Sequence, residues 1–190
     1  MLVDCQKLVI LDTDFGFLGL VFQASKVLHL SLGHTSPSHV RRAIADYPNL
    51  DGSASVCRES DLQNRAISHL VGQLYRYTEG EEQEFRGVHL DLTGQSPFAR
   101  RVTAACRKIP YGQTAAYGTL ARRAGSPYGA RSVGTVMAKN RFPLLVPCHR
   151  VVAAGSRLGG FSAAGGVALK RQLLEMEAAA RGSCVTLGME

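Results

Sequence analysis

A chain of 190 residues, 45% hydrophobic and 19% charged, has the balance of a globular protein and excludes a disordered tail protein; folding at this size buries roughly 70% of the unfolded surface. The longest apolar runs, such as Phe15 to Phe22, fall far short of the roughly 20 residues of a membrane helix, and Asp4, Asp12 and Asp14 interrupt the stretch where a signal peptide would be apolar. The net charge of +7 is uneven: residues 1 to 90 carry 8 Lys or Arg against 11 Asp or Glu, and residues 91 to 190 carry 14 against 4, so the second half suits a polyanion unless its arginines are merely solvated.

Lys7 to Asp12, Phe17 to Gln23 and Val27 to Leu32 are short apolar runs broken by polar and glycine residues, which predicts an antiparallel β-meander. Ser36-Pro37 predicts a helix start, with Ser as N-cap and Pro in the first turn. From Glu59 to Tyr77 the apolar residues Leu62, Ala66, Ile67, Leu70, Val71, Leu74 and Tyr75 recur at helical spacing. The acidic stretch Glu79 to Glu82 ends that helix as a loop, and Val88 to Leu92 is a further candidate strand. These features suggest a domain over residues 1–92 and a second over 93–190.

In the second, Ser96-Pro97 repeats the cap-plus-proline start, and Phe98, Val102, Ala105, Cys106 and Ile109 form a helical stripe that stops at Pro110. Tyr117 to Ala124 and Ala130 to Asn140 read as two short helices joined by Gly125-Ser126-Pro127-Tyr128-Gly129. That turn chemistry fits a helix-turn-helix as well as an ordinary helical hairpin, and Arg122, Arg123, Arg131 and Lys139 favour the DNA-reading form. Gly166 to Ala180 reads as a final helix with Leu169, Leu173 and Leu174 inward. The expected fold is therefore α+β: a small N-terminal antiparallel β-meander with helices, then a helical, winged-helix-like domain carrying a helix-turn-helix.

The stretch Leu144 to Val152 delivers a Cys-His pair between two apolar runs. A free thiol, with a pKa of about 8.5, is only a few per cent thiolate at neutral pH. A nearby imidazole accepts its proton, and a carboxylate that holds the imidazole completes a triad. Adjacent side chains usually diverge, so Cys148 and His149 would communicate through a water. A structural cysteine beside a hydrogen-bonded histidine is equally open on this segment alone.

Pro147-Cys148-His149-Arg150-Val151-Val152, Ile109-Pro110-Tyr111-Gly112 leading to Tyr117-Gly118-Thr119-Leu120-Ala121, and Ala130-Arg131-Ser132-Val133-Gly134 stand in this order. With Asn140 and Pro143 upstream of the cysteine, and Lys170 through Leu173-Leu174 to Glu177, they resemble the methylated-DNA–protein-cysteine methyltransferases, or O6-alkylguanine-DNA alkyltransferases. The resemblance runs from about Ser96 to Glu177; the N-terminal part matches only in general plan. It implies that Cys148 takes the alkyl group from the O6 of guanine, and from O4 of alkylthymine, once per molecule and irreversibly. Glu177 would orient His149, His149 would accept the thiol proton, and Asn140 would brace the turn before the site. Met137, Pro143, Val151, Phe161 and Ser162 would line the pocket. The base would be flipped out of the duplex, Arg131 filling its place and Tyr117 crowding the flanking phosphate. Ala130 and Gly134 would share the DNA-binding helix, set in the minor groove. The implied partner is double-stranded DNA containing O6-alkylguanine, with no cofactor, no metal and no membrane, and the protein is expected to be a cytoplasmic monomer. Two departures stand out: Phe161 occupies a usual Tyr position, and Arg141 stands where Pro commonly follows the Asn.

The alternatives are a helix-turn-helix regulator that senses alkylation damage, a Cys-His hydrolase, and an alkyltransferase-like protein that binds the lesion without repairing it, a class lacking the acceptor cysteine. The resemblance also raises Cys5, His29 and His89 as three ligands of a zinc site, since some members of that family bind zinc in the N-terminal domain, but no clear fourth ligand is present and scattered core residues are the preferred reading. The five cysteines are scattered and form no CxxC pair, which excludes a disulfide scaffold and fits a reducing compartment.

Overall fold

The computed structural model describes residues 5–45 and 54–182, the side chain of Ser156 excepted. The chain divides into two compact units, Met1–Asp91 and Leu92–Glu190. Among the described residues no helix is long and apolar enough to cross a membrane.

The first unit is built on a five-stranded sheet. β1 (Lys7–Thr13), β2 (Gly16–Gln23) and β3 (Lys26–His34) form the expected antiparallel meander. β4 (Ser55–Val56) pairs parallel with β1, and β5 (His89–Leu90) pairs parallel with β3, giving the order β4-β1-β2-β3-β5. The strand expected over Val88 to Leu92 is thus only two residues long, and β4 lacks any apolar alternation that would announce it. Helix α1 (Pro37–Ala45) starts as its cap predicts, with the His39 N–H donating to Ser36 Oγ at 3.3 Å. It lays Val40 and Ile44 on the sheet against Leu8, Val21 and Leu28. Gly19 of β2 allows this approach: a Cβ there would lie 2.4 Å from Val40 Cγ1.

Helix α2 (Arg65–Thr78) is shorter than the periodicity suggests. Asn64 caps it, its Oδ1 accepting from the Ala66 and Ile67 N–H groups at 3.0 and 3.2 Å, while Glu59–Asp61 form a separate 3-10 turn. A strong side-chain cap set inside an apolar pattern decides the helix start.

The second unit is helical. α3 (Pro97–Cys106) is capped by Ser96, whose Oγ accepts from Ala99 N–H at 3.2 Å. α4 (Tyr117–Arg123) and α5 (Ala130–Ala138) are joined by a tight turn in which Ser126 N–H donates to the Ala121 carbonyl at 2.9 Å and Gly125 takes φ +76. α5 ends two residues earlier than expected, because Asn140 turns inward. β6 (Ala115–Ala116) and β7 (Val151–Val152) pair parallel, bringing the chain just after Cys148–Arg150 beside the start of α4. α6 (Gly166–Ala180) buries Leu169, Lys170, Leu173, Leu174, Glu177 and Ala178 along one stripe. Arg101 Nε, from α3, donates to the Ala124 carbonyl at 2.9 Å and ties the end of α4 to the bundle.

Candidate active site and DNA-facing surface

The segment before the cysteine does not form a strand. Residues 142–147 make a chain of turns: Leu145 N–H donates to the Pro143 carbonyl at 2.9 Å and Val146 N–H to the Phe142 carbonyl at 2.8 Å. Leu144 sits at φ +69, a conformation rare for a residue with a Cβ. A backbone held in that region marks strain imposed by its surroundings, and here it lies four residues before Cys148.

Cys148 is 4% exposed and forms the floor of a cavity of about 410 Å³ that Tyr117, Met137, Phe161 and Ser162 also line. Gly134 and two residues not anticipated, Ala138 and Gly160, complete the wall. Pro143 and Val151, expected in the lining, are buried outside it. Pro143 is taken up in the turns, and Val151 belongs to β7 and offers its carbonyl to Lys170 Nζ at 2.6 Å. The Tyr117 ring closes on the Gly159 backbone: a Cβ on Gly159 would be 3.3 Å from the Tyr117 hydroxyl.

Asn140 holds the sulfur. Its Nδ2 donates to Cys148 Sγ at 3.0 Å and to the Val146 carbonyl at 2.9 Å, while its Oδ1 accepts from Phe142 N–H at 3.1 Å. Burial pushes the Cys148 thiol up; the Asn140 hydrogen bond and the Lys170 ammonium pull it partly back. The net shift is upward, so the sulfur rests as a thiol and needs a base.

His149 is fully buried and donates from Nε2 to Glu177 Oε1 at 2.9 Å, which makes Nδ1 the ring nitrogen that can accept a proton. Burial lowers the imidazole pKa, with Glu177 opposing that shift, so the ring is neutral and able to act as a base. Arg150 binds the same carboxylate, from Nε at 3.1 and 3.0 Å to its two oxygens and from Nη2 at 2.8 Å, and Gly112 N–H adds a bond at 2.9 Å. Burial opposes the charge on Glu177, but His149 and Arg150 hold the carboxyl well below the usual carboxylate range. Arg150 is anchored in turn by the Ile109 carbonyl at 2.8 Å and the face of Tyr111.

Arg150, Lys170 and Gly112 carry this network although no role was assigned to them from the sequence. A sign was present: Lys170 and Glu177 interrupt the apolar stripe of α6, and charges inside such a stripe are buried. Burial lowers the Lys170 ammonium to about 8, with Cys148 and Cys106 opposing. Lys170 Nζ also donates to the Gly160 carbonyl at 3.3 Å, so it ties the pocket wall to β7.

Ala130 is half-buried and Arg131 exposed at the start of α5, with Arg122 and Arg123 exposed at the end of α4. Neither Ala130 nor Arg131 lines the cavity, whereas Gly134, one turn along α5, does. In the first unit His29 is buried on β3 and Cys5 is exposed. Among the described residues no three His, Cys, Asp or Glu side chains gather to hold a metal ion, so Cys5, His29 and His89 do not form the zinc site considered above.

A buried thiol with its own base and carboxylate, opening beneath a helix-turn-helix, defines a DNA-directed group-transfer protein. The family profile described as "6-O-methylguanine DNA methyltransferase, DNA binding domain" matches residues 97–179. The methylated-DNA–protein-cysteine methyltransferase of Mycobacterium leprae is 43% identical over 115 residues, 60% of this chain and 67% of that protein. A Thermus thermophilus DNA base-flipping protein is 45% identical over 104 residues, 54% of this chain and 67% of its own. The matched stretch thus spans about two thirds of these curated relatives. The crystal structure of the Mycobacterium tuberculosis O6-methylguanine methyltransferase superposes with a TM-score of 0.72 at 33% identity, covering 92% of this chain and 94% of that one; a structure of the M. tuberculosis protein in complex with DNA gives 0.70. The chain belongs to the methylated-DNA–protein-cysteine methyltransferase family, a family of DNA-repair alkyltransferases.

Proposed function

We propose that this protein repairs O6-alkylguanine, and O4-alkylthymine, in double-stranded DNA by moving the alkyl group onto Cys148. The observation that carries the reading is a cavity of about 410 Å³ lined by Cys148, whose sulfur accepts from Asn140 Nδ2 and whose neighbour His149 is bonded to Glu177 behind it. The thiol proton passes to neutral His149 through a water, and Glu177 stabilises the imidazolium that forms. The sulfur then attacks the alkyl carbon in line: the S–C bond forms as the C–O6 bond breaks, and the electron pair leaves with the guanine, which takes up a proton. The thioether has no internal route back to thiol, so each molecule acts once. Backbone N–H groups of the loop around Phe161 and Ser162 can stabilise charge developing on O6.

A cysteine this buried cannot reach a stacked base, so the nucleotide must rotate out of the duplex. Arg131, exposed at the head of α5, fills the vacated place, and Tyr117 at the cavity edge crowds the flanking phosphate. The exposed Arg122, Arg123 and Arg131 supply phosphate contacts, and a helix in the minor groove suits a protein that scans any sequence. The protein acts as a monomer in the cytoplasm, at the nucleoid in a prokaryotic cell.

Intact-mass analysis after one reaction with an O6-methylguanine duplex tests this reading. One methyl group localised to Cys148 is expected, and none in Cys148→Ala, which retains DNA binding. A protein that recovers its original mass would be a hydrolase, and one that binds the lesion without gaining mass a damage sensor or regulator.

A further inference from the structure

Asn140 is followed by a buried arginine. Arg141 is 6% exposed, its Nη2 donates to the Thr93 carbonyl at 3.2 Å, and its guanidinium carbon lies 5.3 Å from the centre of the Phe142 ring. Phe142 is fully buried, and its N–H is the group that fixes Asn140 Oδ1. With the oxygen of its amide fixed, Asn140 presents Nδ2 to the Val146 carbonyl and the Cys148 sulfur. Burying an arginine costs side-chain entropy and desolvation of a charge. Neither Arg141 nor Thr93 lines the cavity, so direct contact with a base in the pocket does not account for that cost.

We propose that Arg141 is a positioning residue for the nucleophile: by strapping the turn 140–142 to Thr93 it holds the Asn140 amide on the Cys148 sulfur. A donor aimed at sulfur favours thiolate over thiol. Loosening the strap weakens that preference without removing any group that touches the pocket. The inference rests on Cys148 being the acceptor, but its test reads the sulfur itself and needs no DNA.

The test is the rate of iodoacetamide modification of Cys148 against pH in the whole protein, followed by peptide mass to separate it from the other cysteines. Arg141→Met is expected to raise the titration midpoint by about half to one unit, which leaves roughly three- to tenfold less thiolate at pH 7. Arg141→Lys recovers part of the shift, because an ammonium can bond one carbonyl but cannot lie flat on the ring. Asn140→Ala raises the midpoint as well, and Arg141→Met added to it produces no further change, since both act through one contact. An unchanged midpoint in Arg141→Met, or shifts that add in the double variant, would overturn the proposal. Should Arg141→Met fail to fold, Arg141→Lys with and without Asn140→Ala carries the same comparison. A protein that titrates as expected yet takes no methyl from DNA would sink the repair function while supporting this inference.

Discussion

Replacing Glu177 by glutamine puts the buried network under its sharpest test. The carboxylate accepts from His149 Nε2, Arg150 Nε and Nη2, and Gly112 N–H, and none of its surface is exposed. Glutamine keeps the shape but removes the charge, and its amide nitrogen must face one of those donors. Arg150, 6% exposed, then loses the opposite charge it faces. Removing one partner of a buried pair costs about 3–5 kcal/mol. At about 2–4 °C per kcal/mol for a chain of this size, the melting temperature should fall by about 6–20 °C. The pH dependence follows from the depressed carboxyl pKa: burial opposes the charge, but His149 and Arg150 overcome it. A depressed folded-state pKa stabilises fully above the unfolded carboxylate value near 4.3 and is lost as pH falls through the folded value. The gap between parent and Glu177→Gln should therefore be complete at pH 7 and narrow only below about pH 4. Thermal melts by circular dichroism at pH 7 and pH 3.5 check both. Melting within about 2 °C of the parent at pH 7, or a gap independent of pH, would refute the buried ion-pair account.

Arg131→Ala should slow repair of a paired duplex more than repair of a single strand, where little unstacking is needed; equal losses in single-turnover rates would reduce Arg131 to general charge. Phe161→Tyr adds a hydroxyl at the cavity wall. A net gain of about 0.5–1.5 kcal/mol would raise the transfer rate by a few-fold up to about tenfold, and an unchanged or lower rate means the ring does not contact the base. Gly112→Ala should lower the melting temperature by about 2–8 °C. At φ +68 a Cβ costs about 1–2 kcal/mol and would lie 2.6 Å from Arg181 Cδ and 3.2 Å from the Glu177 carbonyl oxygen; an unaltered melt would show that the turn relaxes freely.

Local chemistry was legible in the residues themselves. The meander appeared as apolar runs, α1 and α3 as Ser-Pro caps, α6 as a stripe from Gly166 to Ala180, and the helix-turn-helix as two short helices around Gly125 and Gly129. Each is written within a few neighbouring positions, where backbone propensity and side-chain caps act. Two-residue strands such as β4 and β6 carry no period to detect, and the start of α2 turned on a single capping Asn within a longer apolar pattern.

The amino-acid order alone determined that a cysteine and a histidine stand together, and only the resemblance to the alkyltransferase family linked them to Glu177 and Asn140. Only the tertiary structure decided what each atom faces. Glu177 lies 27 residues from Arg150 and 65 from Gly112, yet binds both; Arg141 reaches Thr93 across 48. It also decided the pocket wall, keeping Met137, Phe161 and Ser162 in it, adding Gly134 from the helix expected to face DNA, and leaving Pro143 and Val151 buried outside it. A buried charge is tolerable only where distant segments supply its partners, and which segments those are is a property of the packed chain, not of its local spacing.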